Sequence, residues 1–76
     1  MEKKKRLCEL CVGECGRVQS LVAEGSMRRR FLDVGIAPGT VVFCVGKSPF
    51  GDPCAYFVRG CEIAIRRTDA RKVILE

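Results

Sequence analysis

Six cysteines are the residues of this 76-residue chain best suited to metal chemistry. Three of them, Cys8, Cys11 and Cys15, form a C-x2-C-x3-C pattern near the N-terminus. Two thiolates at the first spacing can share one tetrahedral Zn²⁺, and a third thiolate adds to such a site. A structural zinc site needs a fourth ligand, and the chain has no histidine to supply it. Two interpretations follow: a Zn²⁺ or Fe²⁺ site on these cysteines, or reduced thiols that act as small apolar side chains.

Histidine and tryptophan are both absent from the sequence. Without histidine the chain has no Ser–His or Cys–His pair and no ordinary proton shuttle at neutral pH. A chain of 76 residues also has a small core, with no room for a cleft between two lobes. We therefore predict a single domain that is not an enzyme and that requires no cofactor.

Positive charge is concentrated in two short segments, and the formal net charge of the chain is +5. The first segment, residues 1–6, contains Lys3, Lys4, Lys5 and Arg6 and is predicted to be a basic N-terminal arm. Four cations alone bind nucleic acid weakly, so nucleic acid is the least favoured class of partner. The second segment consists of Arg28, Arg29 and Arg30.

The three arginines begin a predicted helix, where the helix dipole is already positive and cations are unfavourable. An ion pair between Arg29 and Asp33, four residues later, would offset part of this cost. The other interpretation is that Arg28, Arg29 and Arg30 contact an anion or an acidic partner. The helix itself is predicted to follow an N-cap at Ser26 and to stop at Gly35.

Short segments rich in β-branched and aromatic residues predict a mainly β protein with short helices. Strands are expected at residues 16–22, 40–45, 54–59, 61–66 and 73–75. Residues 48–53 contain two prolines, a glycine and an aspartate, and so predict the turn of a hairpin. Thr68 and Asp69 are predicted to cap a further helical turn. Five short strands fit a small SH3-like barrel best, with an OB-like barrel as the second choice.

Alternation along the strands assigns side chains to the two faces of this barrel. Cys44, Cys54 and Cys61 are predicted to face the interior. Phe43 and Phe57 are predicted to point outward and to be neighbours across the hairpin. An exposed aromatic pair would be a docking patch for a protein partner. The alternative, which the need to seal the barrel favours, is that the small helix or the N-terminal segment covers the pair.

Several blocks of the sequence together resemble a known family. They are Leu7-x-x-Leu10-x-x-Gly13-x-x-Gly16-x-Val18, the stretch from Met27 to Thr40, Pro49-Phe50-Gly51-Asp52-Pro53, Val58-Arg59-Gly60 and Ile63–Arg67. With this spacing the chain resembles the FeoA family, small cytoplasmic accessory proteins of bacterial ferrous iron transport. The resemblance covers residues 7–76, which we predict to form the domain that follows the basic arm.

The resemblance implies a function without catalysis. It implies an SH3-like barrel that binds the cytosolic region of a membrane Fe²⁺ transporter carrying a GTP-binding domain and modulates iron uptake. The resemblance supplies no catalytic residues. The cysteine positions of this chain are not part of the family pattern, so a metal-binding or metal-sensing role on Cys8, Cys11 and Cys15 remains the alternative.

We expect a cytoplasmic protein that does not insert into a membrane, because Glu9 interrupts the only apolar segment near the N-terminus and that segment is short. Exposed apolar strands would also permit a homodimer.

Overall fold

Five antiparallel strands form the framework of residues 5–76, the part of the chain that this computed structural model describes. The strands are β1 (Cys15–Leu21), β2 (Val41–Lys47), β3 (Cys54–Val58), β4 (Cys61–Ile65) and β5 (Val73–Leu75). Each lies within two residues of its predicted position, so the predicted mainly β architecture is confirmed. Lys3 and Lys4 of the predicted basic arm lie outside the described residues.

The strands form one curved sheet in the order β4-β3-β2-β1-β5. This is a small barrel-like arrangement, as predicted, but the barrel is not strictly closed. β4 and β5 are the two ends of the order and do not pair with each other. The sheet therefore keeps two edges, one at β4 and one at β5.

The core lies inside the curve of the sheet and is apolar throughout. Its side chains come from the inward positions of every strand and from the segments between them. No charged residue, and no polar residue beyond Tyr56, is fully buried among residues 5–76. The buried residues are Leu7, Leu10, Val18, Leu21, Ala23, Phe31, Ile36, Val42, Cys44, Cys54, Tyr56, Val58, Ile65, Ala70, Val73 and Leu75.

Two α-helices, α1 (Gly25–Asp33) and α2 (Arg67–Ala70), complete the fold together with a 3-10 turn at Leu7–Glu9. The predicted caps are wrong in both helices. Glu24 occupies the N-cap of α1 and Arg66 that of α2, and neither makes a side-chain capping bond. Ser26, Thr68 and Asp69 lie inside the helices instead, because each helix begins two or more residues earlier than predicted. No helix in residues 5–76 has the length and apolar character needed to cross a bilayer.

Glycines end α1 and close the β3–β4 hairpin. Gly35 follows α1 with a φ of +100°, which confirms the predicted helix stop. Arg59 and Gly60 both have positive φ, at 50° and 85°, which is typical of the tight turn that matches strand twist. Cys61 follows this turn as the first residue of β4 and is exposed, so its predicted place in the interior is wrong.

Candidate functional site

The outer face of β2 and β3 carries large apolar side chains that the core does not use. Alternation along β2 buries Val42 and Cys44 and leaves Val41, Phe43 and Val45 facing solvent. Phe43 is 45% exposed and Phe57, on β3, is 40% exposed. Both phenylalanines point outward, as the alternation predicts.

Strand register brings the two phenylalanines together. Phe43 is the direct cross-strand partner of Phe57, which confirms the predicted neighbour relation. Pairing extends on both sides, since Cys15 on β1 is opposite Phe43 and Glu62 on β4 is opposite Phe57. A row of outward side chains therefore crosses four strands, with the aromatic pair in its centre. Direct partners in such a ladder have Cβ atoms about 5 Å apart, close enough for ring contact.

The N-terminal segment borders the aromatic pair without covering it. The Gly13 amide donates to the carbonyl oxygen of Cys44 at 2.8 Å, and the Cys44 amide donates to that of Glu14 at 2.9 Å. These bonds hold Val12 beside the pair, and a shallow cavity of about 440 Å³ lies between them. The expectation that a helix or this segment covers the pair is wrong, because the segment runs alongside β2 rather than across it. We call Val12, Phe43, Val45 and Phe57 the outer-face patch.

A charged contact braces the segment that carries Val12. Glu14 accepts a hydrogen bond from the Cys11 amide at 2.7 Å, and the Lys5 ammonium lies 3.9 Å from its other oxygen. The backbone hydrogen bond, assisted by Lys5, lowers the pKa of the Glu14 carboxyl. Glu14 is thus charged at neutral pH, and its bond fixes the local turn.

Tyr56 anchors the sheet directly beneath the aromatic pair. Its ring is buried in the apolar core, and its hydroxyl donates to the Leu7 carbonyl oxygen at 3.4 Å. Burial, reinforced by the nearby Cys54 thiol, raises the pKa of Tyr56 well above its usual range. The outer-face patch therefore rests on a buried and uncharged layer, and its backbone is held in place from below.

The cysteines are divided between the interior and the surface. Cys44 and Cys54 are buried, as predicted, and burial raises the pKa of the Cys44 thiol. Cys8 is half-buried against the core, whereas Cys11 and Cys15 are exposed. Within the described part of the chain no three Cys, Asp or Glu side chains come together in a way that could hold a metal ion. The structure therefore does not assemble Cys8, Cys11 and Cys15 into one ligand set.

The three arginines of α1 face different surroundings. Arg28 and Arg29 lie beside Leu32 and Asp33 on the outer side of the helix. Arg30 lies on the side that faces β4. Within residues 5–76 the predicted Arg29–Asp33 ion pair is not formed. The basic segment of the sequence is therefore not one basic cluster in space, and none of it lines the cavity of the outer-face patch.

The sequence interpretation missed three exposed apolar residues near the hairpin of β2 and β3. Val12 and Val45 extend the aromatic pair into a larger patch. Phe50 is 94% exposed in the turn between the two strands. The sequence contained a signal for it, because an aromatic residue between Pro49 and Gly51 in a turn has no strand partner. The surface thus suits apolar docking better than it suits catalysis.

Comparisons with known proteins agree with this description. The family model of the FeoA domain matches residues 5–76. A curated relative, the Fe(2+) transport protein A/Fe(2+) transporter FeoB fusion protein of Porphyromonas gingivalis (strain ATCC BAA-308 / W83), is 31% identical over 71 residues. That match covers 93% of this chain, and the chain spans only 8% of the length of the relative.

Two solved structures are similar over nearly the whole chain. A FeoA-like protein from Clostridium acetobutylicum superposes with a TM-score of 0.88 at 34% identity, covering 100% of this chain and 88% of that one. FeoA from Stenotrophomonas maltophilia, solved in complex with zinc and described as an SH3 domain protein, superposes with a TM-score of 0.83 at 28% identity. The second match covers 95% of this chain and 89% of that one, and it confirms the predicted SH3-like fold.

Proposed function

The chain belongs to the FeoA family, and from that premise we propose that it is a non-catalytic accessory module of ferrous iron transport. In this role it binds the cytosolic region of a membrane Fe²⁺ transporter and modulates iron uptake. The observation that carries the proposal is the curated relative, which joins an FeoA segment and an FeoB transporter in one polypeptide. Covalent linkage raises the local concentration of one partner near the other, which is useful when the two act together.

The outer-face patch is the surface we propose for docking. Protein interfaces obtain most of their affinity from a few buried anchors, and aromatic side chains are enriched among these. Phe43 and Phe57 meet this description because they are adjacent, partly exposed and fixed by strand pairing. Arg28 and Arg29 lie outside the patch, and we propose that they steer an acidic partner without serving as anchors.

The compartment that fits this role is the cytosol. A reducing compartment keeps cysteine thiols free, and the role proposed for this chain requires no disulfide. The chain in this proposal is not an enzyme and needs no resident cofactor. Fe²⁺ is the cargo of the transporter and is not bound by the module.

Binding of the isolated cytosolic GTP-binding region of the transporter tests the proposal. We expect the unmodified chain to bind it, and Phe43→Ser or Phe57→Ser to weaken binding about 30-fold, because a central aromatic anchor contributes about 2 kcal/mol or more. Leu32→Ser is the matched control, since Leu32 is an apolar residue of similar exposure on α1. Isothermal titration calorimetry gives the dissociation constants. Equal affinity for all four proteins would remove the patch from the proposal, and no affinity at all would remove the partner.

A second candidate function is binding of a transition metal. The observation that favours it is the zinc complex of the Stenotrophomonas maltophilia FeoA. In this chain, Cys11 and Cys15 are the exposed thiols of the predicted set and Cys8 is half-buried. Elemental analysis after purification without a chelator tests this function. Stoichiometric zinc or iron that is lost in a triple Cys→Ser variant would support it, and a metal-free protein would exclude it.

A further inference from the structure

Within residues 5–76 the fold covers the sheet edge at β5 but leaves the edge at β4 uncovered. At β5 the N-terminal residues Lys5 and Arg6 cover the edge, since the Leu75 amide donates to the Lys5 carbonyl oxygen at 2.8 Å and Arg6 forms a bridge with Ile74. At β4 the only paired neighbour among the described residues is β3. An uncovered edge presents a row of backbone donors and acceptors that another strand can bind.

The register identifies the backbone groups that β4 leaves free. Val58 and Cys61 flank the two-residue turn, so they exchange hydrogen bonds, and the same holds for every second pair beyond them. Glu62 and Ala64 fall between these pairs, which directs their N–H and C=O groups away from β3. The outward N–H and C=O groups of Glu62 and Ala64 have no other hydrogen-bond partner in residues 5–76, and both residues are exposed.

A groove lies alongside this free edge. One wall is the side of α1 that carries Met27, Arg30, Phe31 and Val34, at helical spacing. The other wall is β4 from Ile63 to Ile65, and the enclosed volume is about 340 Å³. That volume suits one or two side chains of a ligand whose backbone lies outside, along the strand. Met27, Phe31 and Ile63 give the groove an apolar floor.

The mouth of the groove is positively charged. Arg30 projects from α1 and Arg66 follows the end of β4, and both line the groove. No carboxylate among the described residues lies within 4.0 Å of either guanidinium. Asp69 is the acidic residue that also lines the groove, so cations exceed anions two to one along its walls, while the exposed carboxylate of Glu62 lies on the edge strand outside this lining. An incoming chain would find unpaired cations next to unpaired backbone groups.

We propose that the β4 edge and the adjoining groove bind an extended acidic segment of a partner protein by strand addition. Backbone hydrogen bonds to Glu62 and Ala64 hold the segment, an apolar side chain enters above Phe31, and carboxylates pair with Arg30 and Arg66. The free backbone groups determine that the ligand is extended, and the unpaired guanidinium groups determine that it is acidic. This site shares no residue with the outer-face patch, although Glu62 is the strand partner of Phe57, and it goes beyond the proposed accessory role.

The experiment uses a fluorescein-labelled peptide of alternating glutamate and leucine residues with blocked ends. We expect it to bind the full chain and to slow hydrogen exchange of the Glu62 and Ala64 amides by about tenfold or more in ¹⁵N NMR spectra. Ala64→Pro removes the outward donor and leaves the β3 bonds intact, since proline is tolerated on a strand edge. We expect this change to weaken peptide binding about tenfold.

Further variants and peptides separate the contributions of charge, backbone and fold. Arg30→Glu is expected to weaken binding several-fold, whereas Arg28→Glu, on the same helix but outside the groove, is expected to leave binding unchanged. If Ala64→Pro does not fold, the same peptide methylated on its backbone amides replaces it, and we expect that peptide not to bind. A peptide of alternating lysine and leucine residues is expected to bind at least tenfold more weakly, because it repels Arg30 and Arg66.

The proposal is overturned if the acidic peptide does not bind, or binds while the Glu62 and Ala64 amides exchange as fast as before. Concentration-dependent protection of these amides without peptide would also overturn it, since the edge would then pair with a second copy of the chain. Phe57→Ser should leave peptide binding unchanged. Failure of the transporter experiment and failure of this one are therefore distinguishable.

Discussion

Replacement of Phe57 by serine should affect stability and partner binding to very different extents. Phe57 is 40% exposed, so folding buries somewhat more than half of its side chain. Full burial of a phenylalanine stabilises a protein by about 1.5–3 kcal/mol, and the loss here should be about 1–2 kcal/mol. Domains of this length have unfolding free energies of roughly 4–11 kcal/mol, so Phe57→Ser should fold.

The neighbouring residue on the same strand provides the contrast. Tyr56 is 1% exposed, and Tyr56→Ser should cost about 3–5 kcal/mol because it leaves a cavity and removes the hydrogen bond to the Leu7 carbonyl oxygen. Urea titration measures both losses. For the unmodified chain and Phe57→Ser, the fluorescence of Tyr56 reports unfolding, since the chain has one tyrosine and no tryptophan. Circular dichroism replaces fluorescence for Tyr56→Ser.

Two results would refute this reasoning. If Phe57→Ser lost more than about 3 kcal/mol, Phe57 would be a core residue and the outer-face patch would be structural. If the variant were stable and still bound the transporter domain with unchanged affinity, the patch would be exposed but without a role in docking. The expected result is a modest loss of stability together with a loss of affinity of about 30-fold.

Three further results are expected. Gly16→Ala should lower the free energy of unfolding by about 1–3 kcal/mol, because the new Cβ would lie 2.7 Å from Leu75 Cδ1. Gly46→Ala is the control and should not be destabilising, since its nearest contact would be at 3.9 Å. Urea titration compares the two variants. Burial raises the pKa of Cys44 and of Tyr56, so the folded chain keeps both protons where the unfolded chain begins to lose them. Stability should therefore be constant from neutral pH up to the unfolded thiol pKa of about 9 and fall above it, less steeply in Cys44→Ala, and a flat profile of urea midpoints to high pH would contradict this. Treatment with EDTA should leave the melting temperature unchanged, since residues 5–76 hold no three-ligand group, and a clear decrease would indicate a structural metal.

Alternation along the strands was the most reliable guide in the sequence. It placed Cys44 and Cys54 in the core and Phe43 and Phe57 outside it, because a period of two fixes the faces once one face is buried, and it failed only at Cys61, next to the β3–β4 turn. Turn residues were nearly as informative, since Gly35 has the positive φ that ends α1. These features depend on local chemistry, which a sequence records directly.

Features that depend on where segments cross in space were not predictable in this way. The helix caps were wrong because Glu24 and Arg66 take the cap positions without any side-chain bond to mark them. Exposure of the aromatic pair depended on the path of residues 11–14 beside β2, and periodicity does not report such a path. The groove beside β4 joins two segments about 30 residues apart in the chain, so no local pattern could reveal it.

Alternation has one more consequence for how this surface can vary. Phe57 stands between Tyr56 and Val58, both of which are fully buried. A slip of one residue between β2 and β3 would exchange the phenylalanine for its neighbours, hiding the contact surface and exposing the interior in a single step. Insertions or deletions are thus compatible with function in the turn at residues 48–53 but not inside the strands. In the docking mode proposed above, the same strand register that buries the core also presents the outer-face patch, so a change of register would disrupt folding and recognition together.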